Sequence, residues 1–196
     1  MTKKIHRRRK NKSNTSMGFV LGIGLILIGL AAFLLLQGPT NPEEAQTVSR
    51  SVTPVEVNYP APELSLQNVN GETESLIGYR DQVVLVNNWA TWCPPCKAEM
   101  PAIEKVYNEY KEQGFIVLAV DQTYQDDPFD IMPFIEDYEL TFPVLLDETG
   151  DIGRVYQVRS LPSSYFIDRY GFISDVVIGG PMSESLLRIR VEEALK

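Results

Sequence analysis

Apolar and polar positions alternate along the second half of the chain in short blocks, and the period of each block predicts its element. Glu63 to Val69 alternates with a period of two, the signature of a half-buried strand, and Asn70-Gly71 is a turn signal between it and the next segment. Val83-Val84-Leu85-Val86 is a short, wholly apolar strand. Residues 97–113 carry Met100, Ile103, Val106, Tyr107 and Tyr110 at helical spacing and stop before Gly114. Phe115 to Val120 predicts a strand, residues 128–139 a helix, Phe142 to Leu146 a strand and residues 151–157 a short helix. Ser164 to Ile167 and Phe172 to Ile178 flank Asp168-Arg169-Tyr170-Gly171 as a hairpin, and residues 183–195 close with an amphipathic helix. Strands that alternate with helices imply an α/β sheet covered on both faces, and the late hairpin makes that sheet mixed.

The first part of the chain follows another pattern. Residues 17–36 contain no charged side chain, and at ~1.5 Å rise per residue they would cover the ~30 Å hydrocarbon layer of a bilayer. Seven of the 18 Lys and Arg residues precede them, in residues 1–16, whereas residues 1–36 hold no Asp or Glu. By the positive-inside rule the expectation is a basic cytoplasmic head (1–16), a transmembrane anchor (17–36) and an outward-facing remainder at the cell membrane. A cleaved signal peptide is the rival reading, disfavoured by the length of the apolar run. Residues 37–59, rich in Pro, Thr, Ser, Glu and Gln, read as a solvated linker to a domain spanning 60–196.

Charge and residue usage narrow the chemistry. From residue 37 onward, 11 basic residues face all 26 acidic ones, which argues against nucleic acid as a partner. The one histidine is His6, so His-based triads, Cys–His nucleophiles and His-ligated metal sites are excluded from the domain, and two cysteines alone cannot supply a structural zinc set. Those cysteines lie in Trp89-Ala90-Thr91-Trp92-Cys93-Pro94-Pro95-Cys96, directly after the Val83 strand. A cysteine at a helix entrance lies over unpaired N–H groups and the positive end of the helix dipole, and both stabilise a thiolate. Pro94 and Pro95 suit a first helical turn but offer the Cys93 sulfur no N–H, which leaves that of Cys96 as the nearest donor. A static bridge closing so short a loop would remove little chain entropy, so a redox-active pair is the better reading than a staple.

With Ala61-Pro62-Glu63-Leu64, the Trp-Cys-Pro-Pro-Cys run continuing through Lys97-Ala98-Glu99-Met100-Pro101, and Leu161-Pro162-Ser163-Ser164-Tyr165-Phe166, the chain from Ala61 to Lys196 resembles the thioredoxin superfamily. Within it the chain is most similar to the membrane-tethered ResA/TlpA-type thiol-disulfide oxidoreductases. The resemblance implies a thioredoxin-like fold with an extra amino-terminal β-hairpin and a central insertion. It also implies a redox-active Cys93–Cys96 disulfide and a cis Leu161–Pro162 bond beside it. Asn87 stands where cytoplasmic thioredoxins carry a buried aspartate, and Glu99 is implied as the acidic neighbour, able to accept the Cys96 proton from within one helical turn. Leu161 backbone groups would pair with an extended client, and Trp92 would form a partly exposed platform beside the disulfide. Cys93 is expected to be the exposed, low-pKa thiol and Cys96 the covered, resolving one. Such dithiol exchange needs no cofactor or metal. The implied partners are disulfide-bearing extracytoplasmic proteins, apocytochrome c among them, and a CcdA-like membrane electron donor. A disulfide-forming oxidase, a peroxiredoxin-like peroxidase and a redox-inert docking module are the alternatives.

Overall fold

The computed structural model describes residues 55–196. The basic head, the expected anchor and most of the expected linker lie outside these residues, and no helix among those described is long and apolar enough to cross a membrane.

Eight strands and four helices follow in the order β1 (Val55–Pro60), β2 (Ser65–Gln67), β3 (Thr73–Ser75), β4 (Val83–Trp89), α1 (Pro94–Tyr110), β5 (Phe115–Asp121), α2 (Pro128–Asp137), β6 (Val144–Leu146), α3 (Asp151–Val155), β7 (Ser163–Ile167), β8 (Phe172–Ile178) and α4 (Glu184–Ala194). Six strands form one sheet in the order β1-β8-β7-β4-β5-β6. β5 lies parallel to both β4 and β6, whereas β7 and β8 run antiparallel to their neighbours, so the sheet is mixed as the sequence pattern implies. β2 and β3 pair separately as the expected hairpin. Its turn is built from side-chain chemistry: Asn68 Oδ1 accepts from the N–H groups of Asn70 and Glu72, and Gly71 takes a φ of 80° that a side chain would resist.

Two expectations about boundaries change. The strand expected over Glu63 to Val69 is only three residues long, because Asn68 turns its side chain to the hairpin instead of continuing the ladder. The expected linker ends earlier than residue 59: Val55–Pro60 forms β1, an edge strand whose pairing with β8 comes from the far end of the sequence.

β4 shows how the sheet divides the core. It is buried throughout, and its side chains alternate between two apolar clusters. Val83, Leu85 and Trp89 pack with Met100, Ile103 and Val106 of α1, Phe134 of α2 and Leu187 and Val191 of α4. Val84 and Val86 face the other way, toward Leu64, Ile152 of α3, Tyr156 and Tyr165. Helices therefore cover both faces, with α1, α2 and α4 on one and α3 on the other. Burying a large apolar side chain contributes ~1.5–3 kcal/mol, so these two clusters fix the position of β4 and of the turn that follows it.

Candidate active site

The turn after β4 ends at Cys93, whose extended backbone (φ −87°, ψ 108°) makes it the N-cap of α1, with Pro94 and Pro95 in the first turn. Proline presets the helical φ and lacks only an N–H that would have had no partner there, so the sequence itself starts the helix at this point. Cys93 and Cys96 are joined as a disulfide with a Cα–Cα separation of 5.3 Å. The Cys96 N–H donates to Cys93 Sγ at 3.3 Å, the single ring donor that the two prolines leave. That donor, together with the helix N-terminus, favours negative charge on Cys93 once the bridge opens.

The exposure expected for Cys93 needs correction. In the disulfide form Cys93 is only 2% exposed and Cys96 is fully buried, both within the apolar cluster that holds Trp89, Met100 and Met182. Burial alone does not separate the two sulfurs; the separation comes from the N-cap position of Cys93 and the hydrogen bond it accepts.

Glu99 is the larger surprise. A glutamate on a helix face is ordinarily solvated, yet this one is fully buried. Its Oε1 accepts from Asn87 Nδ2 at 2.9 Å and its Oε2 from the Met182 N–H at 2.9 Å. Burial pushes its carboxyl up to about 7, against the lowering effect of the Met182 N–H and the Asn87 amide. Glu99 thus sits one helical turn past Cys96 with its proton occupancy in balance near neutrality. Asn87 also donates to Ser164 Oγ at 2.8 Å, and its own Oδ1 has no partner. Turning that amide over would present Oδ1 to a protonated Glu99 while Ser164 donates in place of accepting. The Asn87–Glu99 hydrogen bond can hence be kept whether Glu99 is charged or neutral.

The loops from β7 and β8 close over this acid. Leu161–Pro162 is cis, as the resemblance implies, and so is Gly180–Pro181. A Cβ on Gly180 would come within 2.7 Å of both Glu99 Oε2 and Pro162 Cγ, so glycine is what lets this loop reach the carboxylate. Leu161 is half-buried and packs against the cluster that contains both cysteines. Trp92 is 54% exposed and anchored through its indole N–H, which donates to the Gln125 carbonyl at 3.0 Å; Trp89 by contrast is fully buried against Phe134. Asn87 through Trp92, the cysteines, Glu99, Leu161 and Pro162 are therefore brought to one end of the sheet.

The residues the sequence did not single out are Met182, Gly180 and Ser164, all of which close on Glu99 or Asn87. Gly180-Pro181 is a legible turn dipeptide, but nothing local says that the turn would meet a helix some 80 residues earlier. A cavity of about 640 Å³ lined by Arg169, Asp175 and Arg190 includes neither cysteine.

A buried disulfide at a helix entrance, a buried acid behind it and a cis-proline loop beside it define the class of chemistry. A sequence profile described as the AhpC/TSA family matches residues 57–176. The chain belongs to the AhpC/TSA family, with a thioredoxin-like fold, and is a thiol-disulfide oxidoreductase. It is 36% identical over 146 residues to the thioredoxin-like protein YneN of Bacillus subtilis, covering 74% of this chain and 85% of that one. It is 34% identical over 172 residues to the thiol-disulfide oxidoreductase ResA of Bacillus thuringiensis subsp. konkukian, covering 88% and 90%. Among solved structures, a putative thiol:disulfide interchange protein DsbE from Chlorobium tepidum superposes with a TM-score of 0.66 at 30% identity, over 71% of this chain and 98% of that one.

Proposed function

We propose that this protein is a membrane-anchored, extracytoplasmic reductase of protein disulfides. The observation that carries the reading is the Cys93–Cys96 bridge at the start of α1, backed by a buried carboxyl whose proton is in balance near neutral pH. In this mechanism the Cys93 thiolate attacks a client disulfide, forming a Cys93–client bond and releasing one client thiolate. Glu99 then accepts the proton of Cys96, and the Cys96 sulfur attacks Cys93 Sγ. The client leaves with both thiols reduced, and Cys93–Cys96 is left oxidised. A membrane electron donor of the CcdA-like kind must return two electrons and two protons, because the compartment outside the membrane has no cytosolic thiol pool. Apocytochrome c is one client that suits this role.

Client docking through main chain is supported at Leu161, whose N–H and C=O have no hydrogen-bond partner among the described residues. They stand next to β7 and can pair with an extended segment irrespective of its side chains. The exposed Trp92 face offers that segment an apolar surface.

Trapping tests the roles. A Cys96→Ser protein should accumulate mixed disulfides with clients, and Cys93→Ser should trap almost nothing; equal trapping by both would remove the assignment. The anchor has a separate test: protease added to intact cells should release the domain from a membrane-bound stub, and domain shed without protease would contradict it.

A further inference from the structure

Of the buried acids, the mechanism uses Glu99 and leaves Asp121, Asp147 and Asp175 unused. Asp121 ends β5, level with Trp89 of β4, and is fully buried. Its Oδ1 accepts from Thr123 Oγ1 at 2.7 Å, whereas its Oδ2 receives no hydrogen bond among the described residues. The titratable groups that face it are both carboxyls: Asp126, within hydrogen-bonding reach on the following loop, and Asp147 after β6, whose Oδ2 is occupied by the Gly153 N–H. Among the described residues no cation offsets them. Burial disfavours the ionised form of Asp121, which leaves it a proton to share with the Asp126 carboxylate.

Asp126 connects that proton to the active site. Its two oxygens accept from the Thr91 N–H and the Thr91 hydroxyl. The next residue, Trp92, is held by the carbonyl of Gln125. The short segment 125–126 thereby fixes both residues that lead into Cys93.

We propose that Asp121 is a positioning residue: by donating the shared proton to Asp126 it holds the Asp126–Thr91 clamp, and with it the Thr91–Trp92 approach to Cys93, in the geometry that receives clients. When Asp121 ionises, two carboxylates face each other, Asp126 moves off, and the Thr91–Trp92 segment loosens. The effect on client attack rests on the redox reading above; the proton sharing does not.

Burial and the two neighbouring carboxyls hold Asp121 up at about 8, which places the transition within reach of experiment. A carbon-detected NMR titration of the wild-type oxidised protein from pH 6 to 10 should show the Asp121 carboxyl losing its proton near pH 8. The Thr91 amide proton should shift with the same midpoint. Asp121→Asn, whose amide can still donate to Asp126, should keep the Thr91 signal in its low-pH position throughout, and Glu99→Gln should leave the transition in place. With oxidised glutathione as the probe, attack by the reduced wild-type protein should fall at least twofold behind Asp121→Asn above pH 8. An Asp121 carboxyl already ionised at pH 6, or a Thr91 amide that stays still while Asp121 titrates, would overturn the clamp; the wild-type titration decides this even if the variant does not fold. Coincident rate profiles would overturn its link to catalysis. Failure of either protein to attack glutathione disulfide at any pH would instead contradict the redox reading and leave the carboxyl titration to judge the pairing.

Discussion

Asn87 and Asn88 are neighbours on β4, both fully buried, and their amides serve opposite faces of the same sheet. Asn88 is matched with neutral partners: its Oδ1 accepts from Gln122 Nε2 at 3.1 Å and its amide points at the Ser163 carbonyl. Asn87 is matched with an acid, Glu99, and keeps one oxygen free. The first arrangement has a single satisfied state, which serves stability. The second can keep the bond to Glu99 in either protonation state of the acid, as a proton-transfer site requires. A buried polar group must find partners in either case; whether those partners titrate separates the site face from the structural face.

The largest expected effect that breaks this comparison is on the acid. Glu99→Gln removes the proposed proton acceptor while keeping the shape, and general acid–base roles of this kind are worth ~10²-fold or more. Resolution of a Cys93 mixed disulfide should slow by that order and lose its rise between pH 6 and 8, as rapid-quench measurement of client release would show. An unchanged rate would leave Glu99 a structural group.

The same carboxyl should mark the stability curve. Its folded-state value of about 7 lies above its ordinary 4.5, so the fold binds the extra proton more tightly than the unfolded chain does. Its stabilising contribution is complete below about pH 4.5 and is lost as pH rises to about 7. At 1.36 kcal/mol for each pH unit of displacement the loss is on the order of 3 kcal/mol. Asp121 acts with the same sign up to about pH 8, so the decline continues past neutrality. Glu99→Gln should gain on the wild type in urea melts above pH 7 and show little gain at pH 4.

These expectations separate what could be read in the residues from what could not. The start of α1 was legible because it is local: Cys-Pro-Pro-Cys presets the backbone and leaves one N–H donor, and both appear in the structure. The sheet class was legible from periodicity, and the cis Leu161–Pro162 bond came through the family resemblance. The burial of Glu99 was not legible, since its helix spacing looks solvated until the Gly180–Met182 loop, more than 80 residues later, folds onto it. β1 was missed for a similar reason: Val-Glu-Val-Asn-Tyr-Pro is too polar to read as core, and its ladder is supplied by β8.

Smaller effects sharpen the contrast from the neutral side. Asn88→Ala leaves the Gln122 amide without its acceptor and should cost ~1–3 kcal/mol at every pH without altering the exchange rate, which denaturant melts and kinetics together would establish. Trp92→Phe should change stability by no more than ~0.5 kcal/mol, because the ring is largely exposed. It should nevertheless remove most of the rise in tryptophan emission on reduction; retention of that rise would assign it to Trp89.

The reduction potential of the Cys93–Cys96 couple, equilibrated against glutathione at pH 7 and read by mass after alkylation, decides whether the protein reduces disulfides. A reductase should show a reversible two-electron couple near the thioredoxin value of roughly −270 mV, with Cys93 alkylated before Cys96 in the reduced protein. A potential near the strongly oxidising value of roughly −120 mV would make the protein a disulfide donor, and the absence of any reversible couple would make the bridge a staple.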